Sequence, residues 1–196
     1  MFALSKSNCI DIHKLLNAGM RKLKLEELNR VTVSEFKKQN KTPLVVVMEN
    51  IRSLNNIGTI FRTCDAFNVQ AIYLVGITAK PPHREIQKTA LGATESVEWE
   101  YFETSQEAIY QLKLNGFKIF SVEQVEGSVS VDKLNSVNCD KIALFFGNEI
   151  SGVNQDTIDA SDACLEIPQF GTKHSLNVSV CAGIVIWESF KKLKMV

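Results

Sequence analysis

Three short stretches of this sequence carry residue types that could do chemistry, and each follows an apolar run. The first is Glu49-Asn-Ile-Arg-Ser-Leu-Asn-Asn-Ile-Gly-Thr-Ile-Phe-Arg62, where Asn50, Arg52, Asn55 and Asn56 crowd the end of a candidate strand. Gly58 allows close backbone approach, and Arg62 lies six residues beyond Asn56, inside the first two turns of a helix. An arginine there can bind phosphate or stabilise an oxyanion, or it can form a surface salt bridge. The second stretch is Leu144-Phe-Phe-Gly-Asn-Glu-Ile-Ser-Gly152, an apolar run ending in a glycine turn with Glu149 just past it. Glycines at such a turn let backbone N–H and C=O groups reach a flat ligand such as adenine, although strand–glycine turns are also common as plain structure. The third is Leu165-Glu-Ile-Pro-Gln-Phe-Gly-Thr-Lys-His-Ser-Leu-Asn-Val-Ser-Val180, where Ser175 or Asn177 could cap a helix or line a site.

The elements that must position these residues follow from periodicity. Leu44–Met48, Ala71–Val75, Phe117–Val122, Ile142–Phe146 and Ala163–Ile167 are short continuous apolar runs, the pattern of strands covered on both faces. Ile57–Phe67, Glu107–Leu114 and Asn177–Lys194 have helical spacing. Strands alternating with helices predict an α/β fold with a mostly parallel sheet flanked by helices. In such sheets ligands bind at the carboxyl ends of the strands, which is where all three stretches lie. Residues 10–39 are also spaced for a helix, with Ile12, Leu15, Leu16, Met20, Leu23 and Leu28 as its apolar stripe, and Lys41-Thr42-Pro43 breaks it. The expected organisation is a basic helical extension over 1–43 and one domain over 44–196.

Composition narrows the function. At 196 residues, 45% hydrophobic and 22% charged, the chain suits one soluble globular domain. Five scattered cysteines without CxxC spacing point to neither a disulfide framework nor a zinc site, and no metal is expected. The start shows no signal-peptide pattern and no run reaches membrane-spanning length, so a cytoplasmic location is expected. Neither GxGxxG nor a Walker loop occurs, which disfavours a generic nucleotide-binding protein. The net charge is zero but unevenly spread. Residues 1–41 hold nine Lys/Arg against four Asp/Glu, residues 42–190 hold ten against eighteen, and the last six residues add three lysines. Basic ends on an acidic middle suit an anionic polymer, or are simply solvated helix faces.

In order and together, NxxR…NNIGTIFRTCDAF, FFGNEISG and IPQFGTKHSLNVSVCAGI resemble the three motifs of the SpoU/TrmH family of RNA ribose 2′-O-methyltransferases. KTALGATESVEWEYF, Lys88 to Phe102, resembles the segment between them, so the likeness covers residues 44–190. The resemblance implies a deep C-terminal trefoil knot, AdoMet bound in the knot loops, pairing of two chains through the terminal helix, and RNA as substrate. It places the activating role on Arg62, with Asn56, Glu149, Ser175 and Asn177 orienting Arg62, the ribose or the loops. Gly147, Ile167 and Leu176 fall at its cofactor contacts, with Glu123 and Gln169 in neighbouring cofactor-lining loops. Short basic ends in place of a separate RNA-binding domain are similar to the TrmH branch, which favours tRNA over rRNA. Arg21, Lys22, Lys24, Arg52, Lys191 and Lys192 are then the expected RNA contacts. His13, His83 and His174 match no motif role. Two other readings stay open: a catalytically silent knotted RNA-binding protein, and a knotted methyltransferase acting on a base nitrogen.

Overall fold

The computed structural model describes residues 20–28, 30–173 and 175–195. It divides after Thr32 into two units. In the first, the described residues form a 3₁₀ turn at Leu25–Leu28, and Arg21 forks onto the Glu27 carboxylate. The second unit begins with a short helix α1, Val33–Lys38. The helix expected over 10–39 is therefore broken in its described part. The β-branched residues Val31 and Thr32 lie just before that helix, and such residues lose rotamer freedom in a helix. Ile12, Leu15, Leu16 and His13 lie outside the described residues.

Seven parallel strands form the sheet of the second unit. These are β1 Thr42–Glu49, β2 Val69–Val75, β3 Trp99–Phe102, β4 Lys118–Val122, β5 Val129–Ser130, β6 Ile142–Phe146 and β7 Ala163–Glu166, in the order β3-β2-β1-β6-β4-β7-β5. The chain runs outward from β1 through β2 to β3, then returns to the other side with β4. The last long strand, β6, inserts between β1 and β4. Reversals of this kind open a crevice at the carboxyl ends of the strands.

The helices of this unit, after α1, are α2 Leu54–Ala66, α3 Arg84–Ala90, α4 Ala93–Ser96, α5 Ser105–Leu114, α6 Gln155–Ala160 and α7 Val178–Lys194, with a further 3₁₀ turn at Val131–Ser136. Strand periodicity of two divides the core. Leu44, Val46, Met48, Ile142, Leu144 and Phe146 point to one face and pack with residues of α2, α3 and α7. Val45, Val47, Ala143 and Phe145 point to the other, where Ala108, Ile109 and Leu112 of α5 cover them. Both faces of β1 and β6 are thus dry, which is why their sequences read as unbroken apolar runs.

Gly58 illustrates how α2 is held. A Cβ there would lie 2.2 Å from Thr89 Oγ1 and 2.3 Å from the Ile86 carbonyl oxygen, so the close approach Gly58 permits is to helix α3. His83 caps α3, its Nδ1 accepting the Glu85 N–H at 3.2 Å. The four described cysteines that are free, Cys64, Cys139, Cys164 and Cys181, are buried or half-buried. No described helix is long and apolar enough to cross a membrane.

Candidate active site

The carboxyl ends of β6, β4 and β7, three neighbouring strands, and the start of α7 enclose a cavity of about 360 Å³. Gly147, Ile167, Leu176, Glu123 and Gln169, the five residues expected at a cofactor, all line it, as do Glu149, Ser175 and Asn177. Arg62 and Asn56 are not part of its lining.

Gly147 is fixed by its own loop. A Cβ there would lie 2.1 Å from the carbonyl carbon of Gly152 and 2.1 Å from the Val153 nitrogen. The glycine is thus required because the chain folds back on itself, before any ligand is considered. Asn148 and Gly152 close that turn with reciprocal backbone bonds of 3.0 and 2.9 Å. The Asn148 side chain accepts from Ile150 N at 2.9 Å and donates to the Asn50 carbonyl at 2.7 Å, tying the loop to the end of β1. Glu123 ties it to β4, accepting the Val153 N–H at 3.0 Å.

Glu149 reaches α2. Its carboxylate accepts from the backbone N–H of Arg52 at 2.9 Å and of Ser53 at 3.0 Å, and from Asn56 Nδ2 at 3.0 Å. Two of these are backbone donors at the entry to α2, where no carbonyl of the helix reaches them, and the third is a side-chain amide of its first turn. Asn56 Oδ1 in turn accepts from Asn177 Nδ2 at 3.2 Å, and Asn177 Oδ1 accepts the Ser179 N–H at 2.9 Å and the Ser179 hydroxyl at 2.7 Å. Asn177 is therefore the N-cap of α7 and a link to α2 at once. One hydrogen-bonded chain, Glu149–Asn56–Asn177–Ser179, joins the three sequence stretches and fixes the orientation of both amides.

Partial burial pushes the Glu149 carboxyl up, but the Arg52 N–H, the Asn56 amide and the Ser53 N–H outweigh it and hold it below the usual carboxylate range. A depressed folded-state value means that this contribution is complete above the ordinary carboxylate pKa and is lost as pH falls through the lowered one. Glu149→Ala should lower unfolding free energy at neutral pH by about 0.5–2 kcal/mol, the scale of losing a helix N-cap. Urea unfolding of both proteins across the acid range should show the difference shrinking towards low pH. A difference that stays constant would remove the ionised cap.

The Arg62 side chain stands exposed on α2 and makes no hydrogen bond or ion pair with any described residue. The Arg52 guanidinium likewise has no partner among the described residues. Of the other expected RNA contacts, Arg21 pairs with Glu27 at 2.6 Å and Lys191 with Glu188 at 2.8 Å, while Lys192 Nζ donates to the Val137 carbonyl at 2.6 Å. Lys22 and Lys24 are exposed with no side-chain partner among the described residues. Exposed ion pairs are worth little and can be exchanged for a phosphate. His174 lies outside the described residues.

A family model described as the SpoU rRNA Methylase family matches residues 43–187. The chain belongs to that family. Among its relatives, the tRNA (guanosine(18)-2′-O)-methyltransferase of Thermus thermophilus is 28% identical over 163 residues, covering 83% of this chain and 82% of that protein. The crystal structure of the A. aeolicus TrmH/SpoU tRNA modifying enzyme superposes with a TM-score of 0.72 at 28% identity, covering 83% of this chain and 81% of that one. The AdoMet-bound rRNA methyltransferase from Sinorhizobium meliloti gives 0.71 at 25% identity, over 81% of this chain and 60% of that one.

One buried group escaped the sequence reading. Glu49, fully buried at the end of β1, accepts from Asn154 N at 2.8 Å and Thr157 Oγ1 at 2.6 Å, and is bonded by the Ser105 hydroxyl. It anchors the starts of α5 and α6. The signal was a carboxylate closing an otherwise apolar strand.

Proposed function

We propose that this member of the SpoU family is an AdoMet-dependent RNA methyltransferase acting on a ribose 2′-hydroxyl. It works as a homodimer, without a metal, in the cytoplasm, and on tRNA in preference to rRNA. The observation that carries the reading is the chain Glu149–Asn56–Asn177 beside the cavity at the ends of β6, β4 and β7. A relative is named for 2′-O-methylation of tRNA guanosine 18, and a structural neighbour for binding AdoMet. The knot implied by the sequence motifs belongs to the same reading.

The cavity suits AdoMet in size and in kind. About 360 Å³ falls within the range of small-molecule sites, roughly 300–1,000 Å³. Gly147, Ile167 and Leu176 offer backbone groups and apolar walls, with Glu123 and Gln169 beside them. Bound there, AdoMet supplies an electrophilic methyl group on a positively charged sulfur. A ribose hydroxyl is a weak nucleophile and must be aligned and relieved of its proton. Arg62 is the group for this, without a side-chain partner among the described residues and able to bind the adjacent phosphate or the developing alkoxide. Glu149, Asn56 and Asn177 position the helix and loops around that reaction, and Ser175 lies open in the cavity wall. The basic residues Lys22, Lys24 and Arg52, with Arg21, Lys191 and Lys192 on exchange of their present partners, hold the RNA backbone.

Support for the homodimer comes from α7. Val180, Ile184 and Trp187 have the spacing of one helix face. Val180 is 52% and Trp187 39% exposed, with Ile184 half-buried between them. Calorimetric titration of the protein with AdoMet in the presence of EDTA should give saturable binding, and light scattering at micromolar concentration should give twice the chain mass. No heat of binding at millimolar AdoMet would remove the cofactor assignment, and a monomer mass would remove the dimer.

A further inference from the structure

The loop between β7 and α7 displays a side chain that methyl transfer as described leaves unused. Phe170 is 97% exposed and makes no ring contact with any described aromatic residue. Single exposed apolar residues are common and by themselves mean little. The place of this one is what matters. Gln169 immediately before it lines the cavity, and so do Ser175, Leu176 and Asn177 a few residues after it. Ile150, 80% exposed, comes to the same cavity from the neighbouring β6 loop. An acceptor ribose must arrive at this mouth, and the base attached to it or next to it arrives with it.

We infer that Phe170 is a stacking platform for an unpaired nucleobase of the RNA beside the reactive ribose. The inference rests on the RNA-methyltransferase reading above. A ribose inside a helical stack cannot reach an enclosed methyl donor, so its nucleotide must leave the stack and lose a neighbour. An aromatic ring at the rim replaces that neighbour and accepts any base, because every base has a π-face. The size of the feature favours a base over a protein. One ring matches one base, whereas a stable protein interface buries on the order of 1,200–2,000 Å². The guanidinium groups of Arg52 and Arg62, unpaired among the described residues, supply the charge that an RNA backbone needs and that an apolar protein partner would leave stranded.

The test uses the full chain and total RNA from cells lacking this gene, with labelled AdoMet as methyl donor. Phe170→Ala should lower kcat/KM for the RNA about ten- to a hundredfold, the scale of losing one base–aromatic stack. Calorimetric AdoMet affinity should stay at the wild-type value. Phe170→Trp and Phe170→Tyr should return kcat/KM to near wild type, and Phe170→Leu should not, since leucine keeps the apolar bulk without the ring. Wild-type kcat/KM in Phe170→Ala, full rescue by leucine, or loss of AdoMet affinity in its place would each overturn the inference. A wild-type protein that methylates none of this RNA would instead sink the enzyme reading beneath it.

Discussion

Replacing Arg62 by alanine should cost at least two orders of magnitude in turnover while AdoMet affinity and melting temperature stay nearly unchanged. Removing one group that stabilises a developing oxyanion costs about 10²–10³ in kcat. The expectation that the fold survives follows from what Arg62 touches. It lies on the exposed face of α2 and has no partner among the described residues, so its loss leaves no buried group without a hydrogen bond. Arg62→Lys divides the roles. A lysine keeps a point charge and gains a titratable amine, but loses the planar fork. Partial rescue that grows with pH would assign Arg62 to proton removal. A loss independent of pH would assign it to bidentate binding of phosphate or alkoxide. Near-wild-type methylation by Arg62→Ala would return the residue to the surface.

Gly147→Ala should be the second large effect, and it reaches the cofactor through the turn, with some loss of fold stability. The added Cβ would lie 2.1 Å from two backbone atoms of Gly152 and Val153, and backbone cannot swing aside as the tip of a side chain can. The turn closed by Asn148 and Gly152 must open, moving the wall that Gly147, Asn148 and Glu149 give to the cavity. Overpacking of this kind costs about 1–3 kcal/mol, and where AdoMet must draw the displaced loop back into shape that cost lowers its affinity roughly ten- to a hundredfold. Gly171→Ala is the control, because a Cβ there meets nothing within 4 Å. Equal AdoMet affinity in Gly147→Ala and wild type would mean that the cofactor does not depend on this turn.

The sheet was legible because its central strands are dry on both faces. Ile142–Phe146 has the same bounds in sequence and structure, and β1, β2, β4 and β7 differ from expectation by a residue or two at their ends. The elements that were missed are those whose burial is partial or whose length is short. Trp99–Phe102 is an edge strand with no fully buried residue, and the two-residue strand Val129–Ser130 has no periodicity to read. Helices α3 and α4 are seven and four residues long, and α3 gains its place by packing Ile86 and Thr89 against Gly58 of α2. At the site, the family resemblance of the motifs singled out Gly147, Ile167, Leu176, Glu123 and Gln169, and these five line one cavity. What spacing could not convey is who touches whom. Glu149 lies more than ninety residues from its three donors on the first stretch, and Asn56 stands between Glu149 and Asn177 only because β1 and β6 are neighbours. The reason for Gly147 was also hidden, for a glycine that admits a ligand and one that admits its own backbone look alike in sequence.

Ribose-methylation mapping of total RNA from cells with and without this gene decides whether the protein methylates ribose. At least one position, in tRNA before rRNA, should lose its 2′-O-methyl group with the gene and regain it with the wild-type protein but not with Arg62→Ala. Unchanged ribose methylation at every position, or the loss of a base methyl group in its stead, would contradict that activity.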